Sequence, residues 1–258
     1  MKMTKRALHT IKSGIVLDIL GALAQNGMKN LYLGGGLSTQ FFLPEELHRV
    51  TSDIDLDGPV NMPYIEFRDY MTGVGSPLTA RGYSIDFSKQ RGTQDAEFSR
   101  DENMMVVQIP RRSQGKFVAS KQRLERELLN SEEIPYVGGK LRLININDLL
   151  ARKIGRADDF RRQYDLTAPF GMDTLEAVER ANLLKETLDY ANLDPRELPK
   201  RVAYIRMLAD LADIKAILER VKINENYLRE AVRNYPTKNP ASLESFLQQV
   251  LAGRVQKP

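Results

Sequence analysis

One stretch of the chain, residues 31–57, carries the residue types that could do chemistry. It contains an apolar triplet, three glycines, a segment predicted to be helical over residues 37–47, and a second apolar run with Asp53 and Asp55. In a strand, alternate side chains share a face, so both carboxylates would point the same way while Ile54 packs behind them. Two such carboxylates repel each other unless a cation lies between them, so the pattern predicts a site for a hard divalent cation.

The glycines Gly34, Gly35 and Gly36 directly precede the predicted helix. Glycine lets a backbone approach a ligand closely, and the N-terminus of a helix favours negative charge. Mg²⁺ is commonly held by one or two carboxylates together with substrate phosphates. The combination therefore predicts a site for Mg²⁺, or Mn²⁺, and a nucleoside triphosphate. The alternative is an acidic pair at a solvated strand end beside a flexible glycine turn.

The composition of the chain limits the classes of protein to which it can belong. The chain has 258 residues, 42% hydrophobic and 28% charged, which is ordinary for a globular protein of about two domains. It has no cysteine, which excludes disulfides and thiolate zinc sites, and only two histidines. No apolar run approaches the roughly 20 residues of a membrane span, and the basic N-terminus lacks the features of a secretory signal. We therefore expect a cytoplasmic protein without a membrane partner.

The order of predicted elements indicates a mixed α/β fold with a helical C-terminal part. Strand and helix patterns alternate up to about residue 170, and only helical patterns follow. We predict an α/β domain over residues 1–170, built on a short mixed sheet, and an all-helical domain over residues 171–258. Within the first, we predict a helix over residues 4–27, a turn-rich segment over residues 90–103, and a strand at residues 117–119.

The motif around the two aspartates resembles a known family. G-G-x-x-x followed by H-R-x-[ST]-x-D-I-D-L is similar to the nucleotidyltransferase motif of the AbiEii/AbiGii toxins, in the DNA polymerase β-like superfamily. The matching residues are Gly34, Gly35, Gly36, His48, Arg49, Thr51, Asp53 and Asp55. The resemblance implies a nucleotidyltransferase core that moves a nucleoside monophosphate from an NTP to a hydroxyl of tRNA, another RNA or a protein. It also implies a toxin of a toxin–antitoxin or phage-defence system, with an antitoxin protein as a partner.

Two later blocks resemble the same family. Lys153 lies in D-L-L-A-R-K, where the family has a helical lysine that reaches the triphosphate. Asp165 lies in R-R-Q-Y-D-L, where the family has an acidic residue that supports the active site, although Arg162 replaces the family's aspartate. In this family a Ser or Thr lies beside the catalytic carboxylates, so the hydroxyl of Thr51 could hydrogen-bond phosphate or be a target for self-modification. Arg49 could pair with Asp55 or with a phosphate, and a structural role is the open alternative for both.

A third carboxylate often joins the aspartate pair in this superfamily, from a later strand. The candidate strand, residues 104–109, carries Gln108 and no acid, and Asp86 is the other option. Without a third carboxylate, catalysis would rest mainly on positioning and electrostatics. Two other functions therefore stay open, which are a pseudo-enzyme that binds nucleotide or RNA without transfer and a protein-interaction module.

A basic run follows the same strand. It could be an RNA-backbone contact surface or a solvated face whose cations pair with Glu125 and Glu127. Its residues are Arg111, Arg112, Lys116, Lys121, Arg123 and Arg126.

Overall fold

The computed structural model describes residues 8–90, 92–187, 194 and 196–255. These residues form two compact units, which we call the sheet unit and the helical unit. The sheet unit contains residues 8–41 and 50–145, and the helical unit contains residues 42–49 and the described residues from 146 onward. Residues 146–170 thus belong to the helical unit, and the division into domains at residue 170 stays a prediction.

The sheet unit is built on a seven-stranded mixed sheet. Its strands are β1 (Tyr32–Leu33), β2 (Asp53–Asp57), β3 (Ser84–Lys89), β4 (Thr93–Arg100), β5 (Asn103–Pro110), β6 (Glu132–Tyr136) and β7 (Gly139–Leu143). They lie in the order β3-β4-β5-β2-β1-β7-β6. The pairs β2–β5 and β1–β7 are parallel, and the other neighbours are antiparallel. The predicted α/β architecture with a mixed sheet is confirmed.

Four helices complete the sheet unit, and they are α1 (Gly14–Asn26), α2 (Gly35–Gln40), α3 (Tyr64–Thr79) and α4 (Gln114–Leu129). Helices α1 and α3 pack against each other and against the sheet. Ile54 and Leu56 of β2 and Val107 of β5 are completely buried on the sheet face that carries the apolar core. Side chains alternate along a strand, so the opposite face receives Asp53 and Asp55 of β2, Asp95 and Glu97 of β4, and Gln108 of β5.

The helical unit contains a 3₁₀ turn (Glu45–Leu47) and five helices. The helices are α5 (Ile146–Gln163), α6 (Thr174–Thr187), α7 (Leu198–Arg220), α8 (Glu225–Arg233) and α9 (Pro240–Val255). Helix α7 packs against α5 and α6, and α5 also contacts α8 and α9. The predicted helical C-terminal part is confirmed. Among the residues that the structure describes, no helix is both long enough and apolar enough to span a membrane.

Two local predictions in the sheet unit were wrong. The segment predicted to be turn-rich, residues 90–103, contains β4, and the strand predicted at residues 117–119 lies inside α4. In β4, the only large apolar side chain on the buried face is Phe98, so the alternation is weak in the sequence. In α4, Ser120, Leu124 and Glu127 form a buried stripe at helical spacing, which a short apolar triplet does not reveal.

Two predicted helices are shorter in the structure. The helix predicted over residues 37–47 begins at Gly35 and ends at Gln40, before Pro44. Helix α1 begins at Gly14, and His9 instead forms an isolated antiparallel bridge with Thr51. Residues 4–7 of that prediction lie outside the described residues.

Candidate functional site

Strand β2 places Asp53 and Asp55 on one face of the sheet. The intervening Ile54 is fully buried on the opposite face, while both aspartates are partly exposed. The alternation therefore produces the arrangement predicted from D-I-D, with two carboxylates on the face that does not carry the apolar core.

The glycine loop lies directly against the second of these carboxylates. Gly35 has a φ of +67°, and a Cβ atom added there would be 1.7 Å from Oδ2 of Asp55. The backbone N–H of Gly34 donates a hydrogen bond of 2.9 Å to the carbonyl oxygen of Asp55. The structure thus brings together the glycine loop and Asp55, and only glycine fits at position 35 without moving the carboxylate.

Thr51 orients the first carboxylate. Its hydroxyl donates to Oδ1 of Asp53 at 3.0 Å and lies 3.2 Å from the carbonyl oxygen of Asp53. The side chain is buried, and the backbone of Thr51 exchanges two hydrogen bonds of 2.8 Å with His9. The ring of His9 in turn hydrogen-bonds the carbonyl oxygen of Met104 at 3.0 Å. Thr51 therefore influences the aspartate pair by orienting the carboxylate of Asp53.

The neighbouring strands supply no acid directly beside β2. Asp55 lies opposite Gln108 of β5, and Gln108 lies opposite Asp95 of β4. Asp95 is therefore about 10 Å from Asp55 between Cα atoms, and it is 1% exposed. Asp86 is exposed on β3, three strands from Asp53 and so about 14 Å away. The structure does not bring Asp86 to the aspartate pair.

The donor set suits a hard cation. Asp53 and Asp55 offer only carboxylate oxygens, which Mg²⁺ and Mn²⁺ prefer over nitrogen or sulfur ligands. Within the described ranges, no group of three or more His, Cys, Asp or Glu side chains forms a metal site. Because Mg²⁺ is usually held by one or two carboxylates plus waters and substrate phosphates, the two aspartates fit such an ion.

A separate cleft of about 720 Å³ lies at the other end of β2. The residues that line it lie before β1 and after β2, and no predicted site residue is among them. They are Lys29, Asn30, Leu31, Val60, Asn61, Met62, Pro63, Glu66 and Asp69. We give this cleft no role at the aspartate pair because it contains neither the carboxylates nor the glycine loop.

In the helical unit, Lys153 is enclosed by carboxylates. Its side chain is 1% exposed, and its ammonium donates to Oδ2 of Asp213 at 2.6 Å. It also lies 3.7 Å from Oδ1 of Asp210. The expected contact of Lys153 with a triphosphate stays a prediction, and the structure shows the ammonium engaged by two acids of α7.

Arg49 joins the same group of charges. Its Nε and Nη2 donate to the two carboxylate oxygens of Asp213 at 3.2 and 2.9 Å. Burial acts to raise the pKa of Asp213, but Arg49 and Lys153 lower it to about 2. Burial acts to lower the pKa of Arg49, and the charge of Asp213 raises it above its ordinary value. Both groups are therefore charged at neutral pH.

Asp165 lies away from Lys153. Helix α5 carries Lys153 and ends at Gln163, about 15 Å further along its axis at 1.5 Å per residue. Asp165 is exposed with a φ of +49°, and the N–H of Leu166 donates to the carbonyl of Arg161 at 2.9 Å. This is the Schellman arrangement that terminates helices, so Asp165 ends α5 and does not contact Lys153.

Comparison with known proteins identifies no family. No family model matches the chain, and no curated protein matches it. One similar solved structure is that of an antigenic nucleotidyltransferase-like protein from Paracoccidioides brasiliensis. It is 14% identical, with a TM-score of 0.41, over 90% of this chain and 98% of that chain. A likeness at this level establishes neither a family nor an activity.

The basic run after β5 is partly neutralised by nearby acids. Arg112 pairs with Asp57 at 2.6 Å, and Arg123 pairs with Glu127 at 2.8 Å. Lys121 and Glu125 form a longer pair of 3.6 Å. These contacts match the alternative of a paired face, and an RNA contact there stays a prediction.

Sequence reasoning missed Asp95, Asp210 and Asp213. Asp210 and Asp213 occur in L-A-D-L-A-D-I, where they interrupt a run of residues that are buried in α7. Acids within an apolar helical stripe are seldom buried unless they are paired, so their position was a usable signal for a buried ion cluster. Asp95 was missed because its strand was not predicted.

Proposed function

We propose that the protein is a Mg²⁺-dependent nucleotidyltransferase, which moves a nucleoside monophosphate from an NTP to an acceptor hydroxyl and releases pyrophosphate. The observation that carries the proposal is the close packing of the Asp55 carboxylate against Gly35 on the face that also carries Asp53. Two carboxylates on one face, beside a stretch of backbone without side chains, can hold a divalent cation together with substrate phosphates.

Each part of the site has a role in this reaction. Asp53 and Asp55 hold the cation, which neutralises charge on the phosphate oxygens when it is bound. The phosphates would lie along the backbone of Gly34, Gly35 and Gly36, which carries no side chains. The acceptor oxygen bonds to the α-phosphorus, the bond from that phosphorus to pyrophosphate breaks, and the hydroxyl proton passes to solvent. Since β5 offers Gln108 rather than an acid, no general base is assigned.

The acceptor and the biological role rest on the resemblance of the sequence motif. We propose an RNA acceptor, with the 3′ end of tRNA as the first candidate and a protein hydroxyl as the second. On the same ground we propose a toxin of a toxin–antitoxin or phage-defence system, with an antitoxin as partner. The resemblance alone implies a triphosphate contact by Lys153 and support of the site by Asp165, and neither residue is assigned a step in the proposed reaction.

The test is a labelling assay with each of the four α-³²P-labelled NTPs, Mg²⁺ and total tRNA. Label on RNA supports the proposal, and label on protein would mean that the acceptor is a protein hydroxyl. A control with EDTA in place of Mg²⁺ should remove the signal. Absence of both transfer and nucleotide binding would overturn the proposal and leave the protein-interaction module.

A second candidate function is a pseudo-enzyme that binds nucleotide without transferring it. The placement of Gln108 directly opposite Asp55 favours it, because a third carboxylate at this position would help to activate the attacking hydroxyl. Saturable Mg²⁺–NTP binding by calorimetry, together with no labelled product, would select this function over the first.

We expect Thr51→Val to reduce transfer by about 10-fold, which is typical when a group that orients a metal ligand is lost. Valine keeps the shape of threonine but cannot donate to Asp53, so this carboxylate loses its fixed orientation. The change should also raise the Mg²⁺ concentration for half-maximal activity. Thr51→Ser keeps the hydroxyl and is the matched control, and equal activity in both variants would contradict the role of Thr51.

A further inference from the structure

A cluster of five charged side chains lies within the helical unit. Two carboxylates of α7, Asp210 and Asp213, are paired with Arg49 from the segment before β2 and with Lys153 and Arg156 from α5. Four of the five side chains are less than 10% exposed, and Arg156 is 47% exposed. The cluster therefore ties residues 42–49 to α5 and α7 through buried charges.

Both carboxylates of the cluster form short, hydrogen-bonded ion pairs. Asp213 accepts two hydrogen bonds from Arg49 and one of 2.6 Å from Lys153. Arg156 donates to both oxygens of Asp210 at 2.6 Å. Breaking a buried pair by removing one partner is strongly destabilising, because the remaining charge stays buried without compensation. If Lys153 turned toward a triphosphate, Asp213 would lose its shortest contact within the cluster.

We propose that Asp213, Arg49 and Lys153 are positioning residues for the proposed transfer and that Lys153 is a counter-ion of Asp213 rather than a ligand of the triphosphate. This proposal rests on the proposed function. Arg49 precedes Asp53 by four residues, with Thr51 between them. The two-pronged contact of its guanidinium with Asp213 attaches the chain to α7 at residue 49, immediately before the segment that leads into β2.

The first test measures Mg²⁺–ATP affinity in Lys153→Met, which leaves the contact between Arg49 and Asp213 intact. We expect the Kd to stay within about two-fold of wild type, because a counter-ion of Asp213 does not touch the ligand. The thermal midpoint should fall by about 6 °C or more, because a buried carboxylate loses a partner. A Kd raised by about 10-fold or more would make Lys153 a triphosphate ligand and overturn the proposal.

The second test compares Arg49→Lys with Arg156→Lys as the matched control. Both changes keep the positive charge but lose the planar guanidinium, which can donate two parallel hydrogen bonds. Only Arg49 belongs to the segment before β2. We expect Arg49→Lys to raise the Mg²⁺ concentration for half-maximal transfer by about five-fold, and Arg156→Lys to leave it within about two-fold. If the cluster were purely structural, Arg49→Lys would lower the amount of folded enzyme and leave the Mg²⁺ dependence of transfer unchanged. That result would overturn the positioning role.

Binding of Mg²⁺–ATP by the wild-type protein separates failure of the proposed function from failure of the role of the cluster. If wild type binds no Mg²⁺–ATP, the proposed function fails, and the positioning role falls with it. The counter-ion role of Lys153 can still be tested by unfolding. In a double-mutant cycle, the losses of stability in Lys153→Met and Asp213→Asn should then be non-additive. If Arg49→Lys does not fold, the Kd of Lys153→Met alone decides between counter-ion and triphosphate ligand.

Discussion

Asp53→Asn and Asp55→Asn should each lower nucleotidyl transfer by about 100-fold or more while the protein stays folded. An amide keeps the size of the side chain but removes the negative charge that holds a divalent cation. Both aspartates are partly exposed, so the neutral amides should cost little stability. Transfer is measured as labelled product per minute at saturating NTP, and folding is checked by circular dichroism.

Asp86→Asn is the matched control for this pair. It makes the same change on the same face of the sheet, but on β3, three strands from β2. Transfer should stay within about two-fold of wild type because Asp86 is exposed and remote. An equal loss in Asp86→Asn, or full activity in Asp55→Asn, would contradict the assignment of the metal to β2.

Gly35→Ala should abolish transfer almost as completely as loss of an aspartate. The new methyl group would lie 1.7 Å from Oδ2 of Asp55, so the carboxylate has to leave its position. A displacement of about 1 Å at a catalytic group can cost about 100-fold in rate. The φ of +67° adds about 1–2 kcal/mol of backbone strain to the folded state. Initial rates and urea unfolding measure the two effects separately.

Gly82→Ala separates backbone strain from the steric effect at Asp55. Gly82 has a similar φ of +85°, but nothing lies within 4 Å of an added Cβ atom. We expect Gly82→Ala to lose a comparable stability of about 1–2 kcal/mol and to keep its transfer activity. If Gly82→Ala lost as much activity as Gly35→Ala, the loss would reflect general destabilisation, and the role of the glycine loop would be contradicted.

Local sequence patterns were sufficient where one short segment contains all the information. The alternation in D-I-D-L-D determines that Asp53 and Asp55 share a face and that Ile54 is buried. The apolar run of β5 identified this strand without knowledge of its neighbours. The same patterns failed for β4 and α4, because a short run with few apolar residues is compatible with a strand, a turn or a helix.

By itself, the sequence of this protein determined the mixed α/β order, the helical C-terminal part and the pairing of two carboxylates after a glycine loop. Only the tertiary structure decided that Gly35 touches Asp55, that Gln108 lies opposite Asp55, and that Lys153 is held by Asp213. The physical reason is the distance along the chain over which each effect acts. Periodicity and backbone preference act over a few residues, whereas a buried charge is satisfied by whichever distant segment packs against it, here 60 residues further along the chain.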